Sequence, residues 1–382
     1  MTDHALTIGR IHGIELRVHW SWLIIFLLLT WSIATAFFPT FYPGWPVGAY
    51  WALGALSSLL LFVSVLLHEL AHSLVAQAEG IPVSSITLFV FGGVSNIQRE
   101  PPSAKDEFLM AFAGPATSLV IGAVSFAIAG AIGGSGPSLT QSEVVGLFTA
   151  LGYYNLALGI FNLIPGFPLD GGRIFRSIVW AITGNFQEST TIATAAGHLF
   201  AYLFIFGGLL LIFLGGFLSG LWLLLIGWFL NNAASASQQQ TRLAAALRGV
   251  QVQSIMRSPP PDVPANTSVL DFVEHYVLAQ NLRALPVVDE GNQLVGLVTL
   301  TEARSVPRER WAQTTVAEVM IPANRLKTAT LGEPVGTALR DLSENDLNQL
   351  PVVDQGQLVG LITRGDVLRY LQVREELQRP AA

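Results

Sequence analysis

"LLHELAHSLVAQAEG", residues 66–80, places two histidines and a glutamate inside a long apolar run. Ionisable side chains are costly in a bilayer or a packed core unless something compensates them. His68 and His72 are four residues apart, so on a helix both imidazoles lie on one face and can reach one ion. Neutral imidazole nitrogens are good zinc ligands. The intervening Glu69 is placed to take a proton from an attacking water. Five residues in an H-E-x-x-H pattern are a weak signal in a soluble helix and a stronger one in a membrane span, where an idle charged cluster is heavily penalised.

The rest of the chain makes that span a membrane span. Of 382 residues, 51% are hydrophobic and only 12% charged, against roughly 25% charged in a soluble domain. Mean hydropathy is +0.52. A net charge of -6 and the lack of a basic stripe speak against a nucleic-acid binder. With no cysteine, disulfides, thiol nucleophiles and thiolate metal sites are excluded, and a metal site must be built from His, Asp and Glu.

Apolar runs predict helices at about 19–38, 50–78, 107–132, 144–164, 191–214 and 217–233, most of them near the ~20 residues that cross a bilayer. Arg10, Arg17, Arg99, Lys105, Arg173, Arg176, Arg242 and Arg248 fall on alternate connections, and the loops between carry no Lys or Arg. By the positive-inside rule, six crossings leave both termini in the cytoplasm of a prokaryotic inner or plasma membrane. "IPVSSITLFVFGGVSNIQ", residues 81–98, has β-branched and aromatic residues around a Gly-Gly pair. It reads as a membrane-associated β-hairpin. "NNAASASQQQTR", residues 231–242, reads as a polar linker to a soluble tail.

A catalytic zinc usually has three protein ligands. Between residues 20 and 230 the acids are Glu69, Glu79, Glu100, Asp106, Glu107, Glu143, Asp170 and Glu188, most of them in expected loops. Asp170 stands in "NLIPGFPLDGGRIF", residues 162–175. Its prolines interrupt a helix and its glycines allow close approach. A broken helix in a membrane is tolerated where it lines a buried polar site, so Asp170 is the natural third ligand. His198, in the fifth span, is the rival.

"HELAHSLVAQAEGI", "FGG" at 91–93 and "FNLIPGFPLDGGR", in that order, resemble the site-2 protease family of intramembrane zinc metalloproteases over about residues 8–230. The resemblance implies one zinc on His68, His72 and Asp170, Glu69 as general base, and water attack on a peptide bond inside the membrane. It also implies a substrate or oxyanion contact for Asn162, for which an interhelical hydrogen bond is the competing explanation. Family members often carry Asn soon after the Gly-Pro of the third span, where this chain has Thr117 and Ser118. The substrate helix must unwind locally, and the 81–97 hairpin offers an edge for an extended segment.

The tail is a repeat. "LPVVD" occurs at 285–289 and 350–354, "LVGLVTLTEA" at 294–303 matches "LVGLITRGDV" at 358–367, and "VQSIM" at 252–256 matches "VAEVM" at 316–320. The copies resemble a pair of α/β CBS domains, expected at 250–310 and 311–372 after a linker at 234–249. Such pairs often bind adenine nucleotides. The Thr-x-x-Asp ribose pattern stands at Thr363 and Asp366, while the first copy has Thr299 with Glu302. A module without ligand, serving structure or homodimerisation, is the other reading. The expected fold is thus a polytopic helical membrane domain followed by a soluble tandem CBS domain. The expected function is an intramembrane zinc endopeptidase acting on transmembrane segments under control of its tail. The alternative is a CBS-gated transporter or channel, which should spread polar residues through several spans.

Overall fold

Among the described residues, six helices are long and apolar enough to cross a membrane. The computed structural model describes residues 5–90, 92–97, 99–133, 139–280, 282–344 and 347–378. Phe91, the first residue of the F-G-G motif, lies outside them. In the first span, α1 (Trp22–Ser32), π-helical turns at Ile33–Phe37 and α2 (Phe38–Phe41) run on together. There follow α3 (Val47–Ala78), α4 (Ala104–Gly133), α5 (Leu139–Asn162), the short α6 (Asp170–Thr183), α7 (Phe186–Phe213) and α8 (Phe217–Leu247). At about 1.5 Å per residue, the spanning helices are long enough for the ~30 Å hydrocarbon layer. Leu, Val, Phe and Trp side chains such as Val63, Leu67, Phe206 and Trp228 are exposed on their outer faces, as lipid contact requires.

The expected hairpin is present as β3 (Val83–Phe89) and β4 (Gly92–Ile97), paired antiparallel. It does not stand alone. An unforeseen N-terminal hairpin, β1 (Ala5–Ile11) and β2 (Ile14–His19), joins it through a parallel β2–β3 pairing, in the order β1-β2-β3-β4. The first hairpin turns at His12-Gly13, a pair outside the usual Asn-Gly signal. β1 is exposed along most of its length, so it has no buried face to announce it. Ile14, Leu16, Val83 and Ile86 of the sheet pack with Ala76 of α3 and Met110 of α4 in one buried cluster. This cluster seats the sheet at the end of α3 that carries the two histidines.

Contacts divide the chain into two units, up to Thr241 and from Arg242 on. Residues 231–242, expected as a linker, are helical within α8. Their Ala and Gln are good helix formers, and an uncapped run of them has no reason to stop. In the second unit, β5 (Val263–Pro264), α9 (Val269–Asp271) and π turns at Phe272–Leu278 lead to β6 (Ala284–Val288), β7 (Leu294–Thr299) and α10 (Leu300–Arg304). Then come α11 (Val316–Val319), β8 (Ile321–Pro322), α12 (Val335–Glu344), β9 (Gln349–Asp354), β10 (Gln357–Thr363) and α13 (Arg364–Gln378).

The sheets are β5-β6-β7-β8 and β10-β9. The two cores share opening segments across the expected copies at 250–310 and 311–372. Leu247 and Val252 are buried with Ala329 to Val367, whereas Val316 is buried with Val263 to Ala303. Each copy's opening segment packs into the other copy's core.

Candidate metal centre

α3 is continuous through His68, Glu69 and His72, so the two imidazoles stand one turn apart on one face, each only 4% exposed. Their inner nitrogens are held by α4. His72 Nδ1 donates to the carbonyl of Met110 at 2.6 Å, and His68 Nδ1 is 2.9 Å from Ser118 Oγ. Holding Nδ1 fixes ring orientation and leaves Nε2 for a ligand. Both Nε2 atoms point at Asp170 Oδ2, at 3.0 Å from His68 and 3.2 Å from His72. One ligand atom from each of the three residues lies within 4.8 Å of the others.

Asp170 opens α6 after the loop that follows α5. A side chain on Gly171 would overlap the backbone of Leu163 and Ile164, and one on Gly172 would overlap Gly166 and Phe167. The Gly-Gly pair therefore lets the proline-broken loop lie directly on the helix start. α6 is held against α4 by a buried ion pair. Arg176 Nε is 2.8 Å from Glu107 Oε1, its Nη2 contacts the same oxygen, and its guanidinium packs over Phe167 and Phe186. Glu107, expected near a loop, is a fully buried residue of α4. Arg176 is likewise no free loop charge, so it counts for little in the topology argument. The signal in sequence was the spacing Asp170, Arg173, Arg176, three residues apart on one helix face.

The geometry fits a metal. His72 Nε2 is buried and, although 3.2 Å from Asp170 Oδ2, makes no hydrogen bond of proper geometry. Gly114 of α4 lies opposite the imidazoles, and a methyl there would overlap both Nε2 atoms. Two imidazoles and a carboxylate around a space kept open by a glycine are a donor set for a borderline divalent ion such as zinc.

Glu69 sits beside this cluster with its carboxylate on β4, where Ser95 Oγ donates to Glu69 Oε2 at 2.8 Å. Asn162, at the end of α5, spends its amide on the Leu158 carbonyl of its own helix at 3.1 Å. His198 is outside the cluster, with its Nδ1 2.8 Å from Asn231 Oδ1 of α8. Thr117 donates to the Ala113 carbonyl at 2.8 Å, so of the two residues after Gly-Pro only Ser118 reaches a histidine. Sequence reasoning missed Ser95, Glu107 and the Met110 carbonyl.

In the tail, Thr363 Oγ1 donates to Asp366 Oδ2 at 2.6 Å, and Arg257 Nε is 2.8 Å from Asp366 Oδ1. Arg257 and Asp366 line an open cleft of about 570 Å³ with Ser254, Ile255, Arg369 and Tyr370. In the first copy, Thr299 bonds Glu302.

Comparison with known proteins gives two family matches. Residues 56–140 and 128–206 match the model of peptidase family M50, and residues 252–309 and 316–373 each match the CBS domain. The chain is 38% identical over 370 residues to a Mycobacterium tuberculosis protein named zinc metalloprotease Rip3, covering 97% of this chain and 93% of that one. It is 36% identical over 379 residues to a Synechocystis protein named as zinc metalloprotease sll0528, covering 97% and 96%. Among solved structures, the site-2 protease from Methanocaldococcus jannaschii aligns with a TM-score of 0.42 and 29% identity, over 62% of this chain and 95% of that one.

Proposed function

Because the chain belongs to peptidase family M50, the site-2 type of intramembrane zinc metalloprotease, we propose that it hydrolyses peptide bonds within transmembrane segments of membrane-protein substrates. The observation that carries this reading is the convergence of His68, His72 and Asp170, from two helices, on the space in front of Gly114. These three residues would hold one zinc. Bound there, zinc supplies a Lewis acid for the scissile carbonyl and makes hydroxide accessible near neutral pH.

The remaining work belongs to side chains. Glu69 takes a proton from the attacking water at its carboxylate and returns it to the leaving amine nitrogen. β4 has β3 as its one neighbour among the described residues. Its outer edge offers backbone donors and acceptors to an unwound substrate segment. Asn162 would contact the substrate carbonyl only by giving up its bond to Leu158. Buried imidazoles and apolar helices keep bulk water from the site, which strengthens every electrostatic contact in it.

The chain is a multi-pass membrane protein. We place it in a prokaryotic plasma membrane with the tail cytoplasmic, on the distribution of Lys and Arg. For the tail we propose an adenine nucleotide in the cleft beside Asp366, with release of Arg257 as the switch, and a homodimer through the CBS pair as its setting. A ligand acts there only by binding two tail conformations unequally. A CBS-gated transporter is not favoured, because His68 and His72 of one span gather with Asp170 at a single site instead of marking a path. The deciding experiment reconstitutes the full chain with a single-span model substrate. Cleavage that requires both stoichiometric zinc and Glu69 supports the reading, and ion flux without cleavage refutes it.

A further inference from the structure

We propose that Ser95, on the edge strand β4, is the positioning residue of the catalytic base: its hydroxyl holds the Glu69 carboxylate, so that the strand offered to substrate also sets the aim of the base. The proposal rests on the reading of Glu69 as general base.

Side chains of β4 alternate. Val94 and Asn96 are exposed, whereas Gly93, Ser95 and Ile97 are half-buried toward α3. On that inner face two adjacent positions meet the same glutamate. Ser95 Oγ lies 2.8 Å from Glu69 Oε2. A side chain at Gly93 would overlap Glu69 Cγ, so the strand rests directly on the glutamate's methylene stem.

Ser95 is tied in turn to the helix. Its Oγ is 3.2 Å from Ser73 Oγ, and Ser73 donates to the Glu69 carbonyl at 2.8 Å. A serine hydroxyl has one proton to give. Ser73 spends its own on the Glu69 carbonyl, and the Ser95 proton goes to the Glu69 carboxylate, its strongest acceptor. With Oε2 occupied by Ser95, the glutamate rotates little, and Oε1 remains for the water proton.

Register gives the coupling. Ser95 pairs with Ile86 and Gly93 with Leu88 on β3, and β3 is fixed to β2 and to the buried cluster on α3. Among the described residues β4 pairs with β3 alone in the sheet, and its inner face rests on α3 through Ser95 and Gly93. Ser95 therefore fixes the edge offered to substrate and the aim of the carboxylate to each other.

The test uses the full-length, zinc-loaded chain with Ser95→Ala and Ser95→Thr. Losing one charge-assisted hydrogen bond to the base should lower kcat about 10- to 100-fold. KM should stay within about twofold and zinc should remain stoichiometric. Threonine keeps the hydroxyl and suits a strand, so kcat should recover to within about threefold of wild type.

A second readout needs no cleavage. Acetohydroxamate chelates zinc and shares a proton with a neighbouring carboxylate. Ser95→Ala should weaken its binding, measured by calorimetry, about tenfold when Glu69 is present and not at all in a Glu69→Gln background. Unchanged kcat and unchanged hydroxamate affinity overturn the proposal. So does a rise in KM alone, a loss of zinc, or a threonine variant as poor as alanine, since each marks a different role for Ser95. A wild-type chain that cleaves nothing, yet whose hydroxamate affinity depends on Ser95 only when Glu69 is present, keeps this proposal and removes the protease reading.

Discussion

His72 Nδ1 donates to the main-chain carbonyl of Met110 at 2.6 Å, so a backbone oxygen of α4 decides which nitrogen His72 turns toward Asp170. A carbonyl accepts and never donates, which fixes the Nδ1–H tautomer and leaves Nε2 as the ligand atom. No substitution at Met110 removes that oxygen. The device is therefore tested from the other side of the site.

Gly114→Ala places a methyl where both Nε2 atoms need open space. Zinc affinity should fall by about 100-fold or more, since both imidazoles must move. Competition against a chelator measures it. Gly130→Ala, on the same helix with nothing nearby, serves as the control and should retain wild-type affinity.

Glu69→Gln should keep zinc stoichiometric and lose cleavage by roughly 100- to 10,000-fold. The amide preserves shape and cannot accept the water's proton. Near-normal turnover would refute the assigned base. Metal analysis beside single-substrate kinetics separates the outcomes.

Asp170→Ala should lower zinc occupancy and activity together, because a ligand is removed from a three-residue set. His198→Ala loses a hydrogen bond to Asn231 and a ring contact with Tyr202, at a cost of about 1 kcal/mol for the bond, and should keep its zinc. The opposite ranking in metal content would move the third ligand to His198.

Glu107 pairs with Arg176, and Arg173 Nε also lies 3.9 Å from Glu107 Oε1, so Glu107→Leu strips the carboxylate from two cations, whereas Arg176→Leu leaves Glu107 with Arg173. Glu107→Leu should destabilise the membrane unit by about 3–5 kcal/mol and Arg176→Leu by less, and in the double substitution the two effects should not add. Thermal unfolding in detergent reads the cycle. Because the pair ties α6 to α4, both single variants should also weaken zinc, and equal affinity in all four proteins would disconnect the pair from the site.

Arg257→Ala frees Asp366 Oδ1, now occupied at 2.8 Å. If nucleotide competes with that contact, Arg257→Ala should tighten AMP or ATP binding several-fold, while Asp366→Ala should weaken it about tenfold or more. Calorimetry on the intact chain with ATP, ADP and AMP decides. No heat with any of them in any variant ends the ligand idea, and binding that leaves the cleavage rate unaltered ends the regulatory one.

Features with a local period were legible in the sequence. His68 and His72 share a face because a helix turns every 3.6 residues. Six spans follow from apolar length, the β3–β4 hairpin from β-branched residues around glycines, and the tail's duplication from repeated text. Each can be read within a single segment. Asp170 was legible because proline and glycine mark a break wherever they fall.

What the tertiary structure alone decided involves partners far apart in the chain. Ser95 meets Glu69 across 26 residues, Ser118 meets His68 across 50, and Arg176 meets Glu107 across 69. Serine, glutamate and arginine each have many possible partners, and only the packing of α3, α4, α6 and β4 selects one. The N-terminal hairpin joins the sheet because β2 finds β3 in parallel, a pairing that no local turn encodes. The exchange of opening segments between the two tail cores is equally silent in the repeat, since segments as alike as "VQSIM" and "VAEVM" do not say which core each enters, and connectivity with packing chooses between them. The sequence by itself named the candidate ligands of a metal and a candidate base. Three dimensions supplied the carbonyl, hydroxyls and ion pair that hold them in place, because a hydrogen bond needs its partner within about 3 Å and the chain comes that close only when folded.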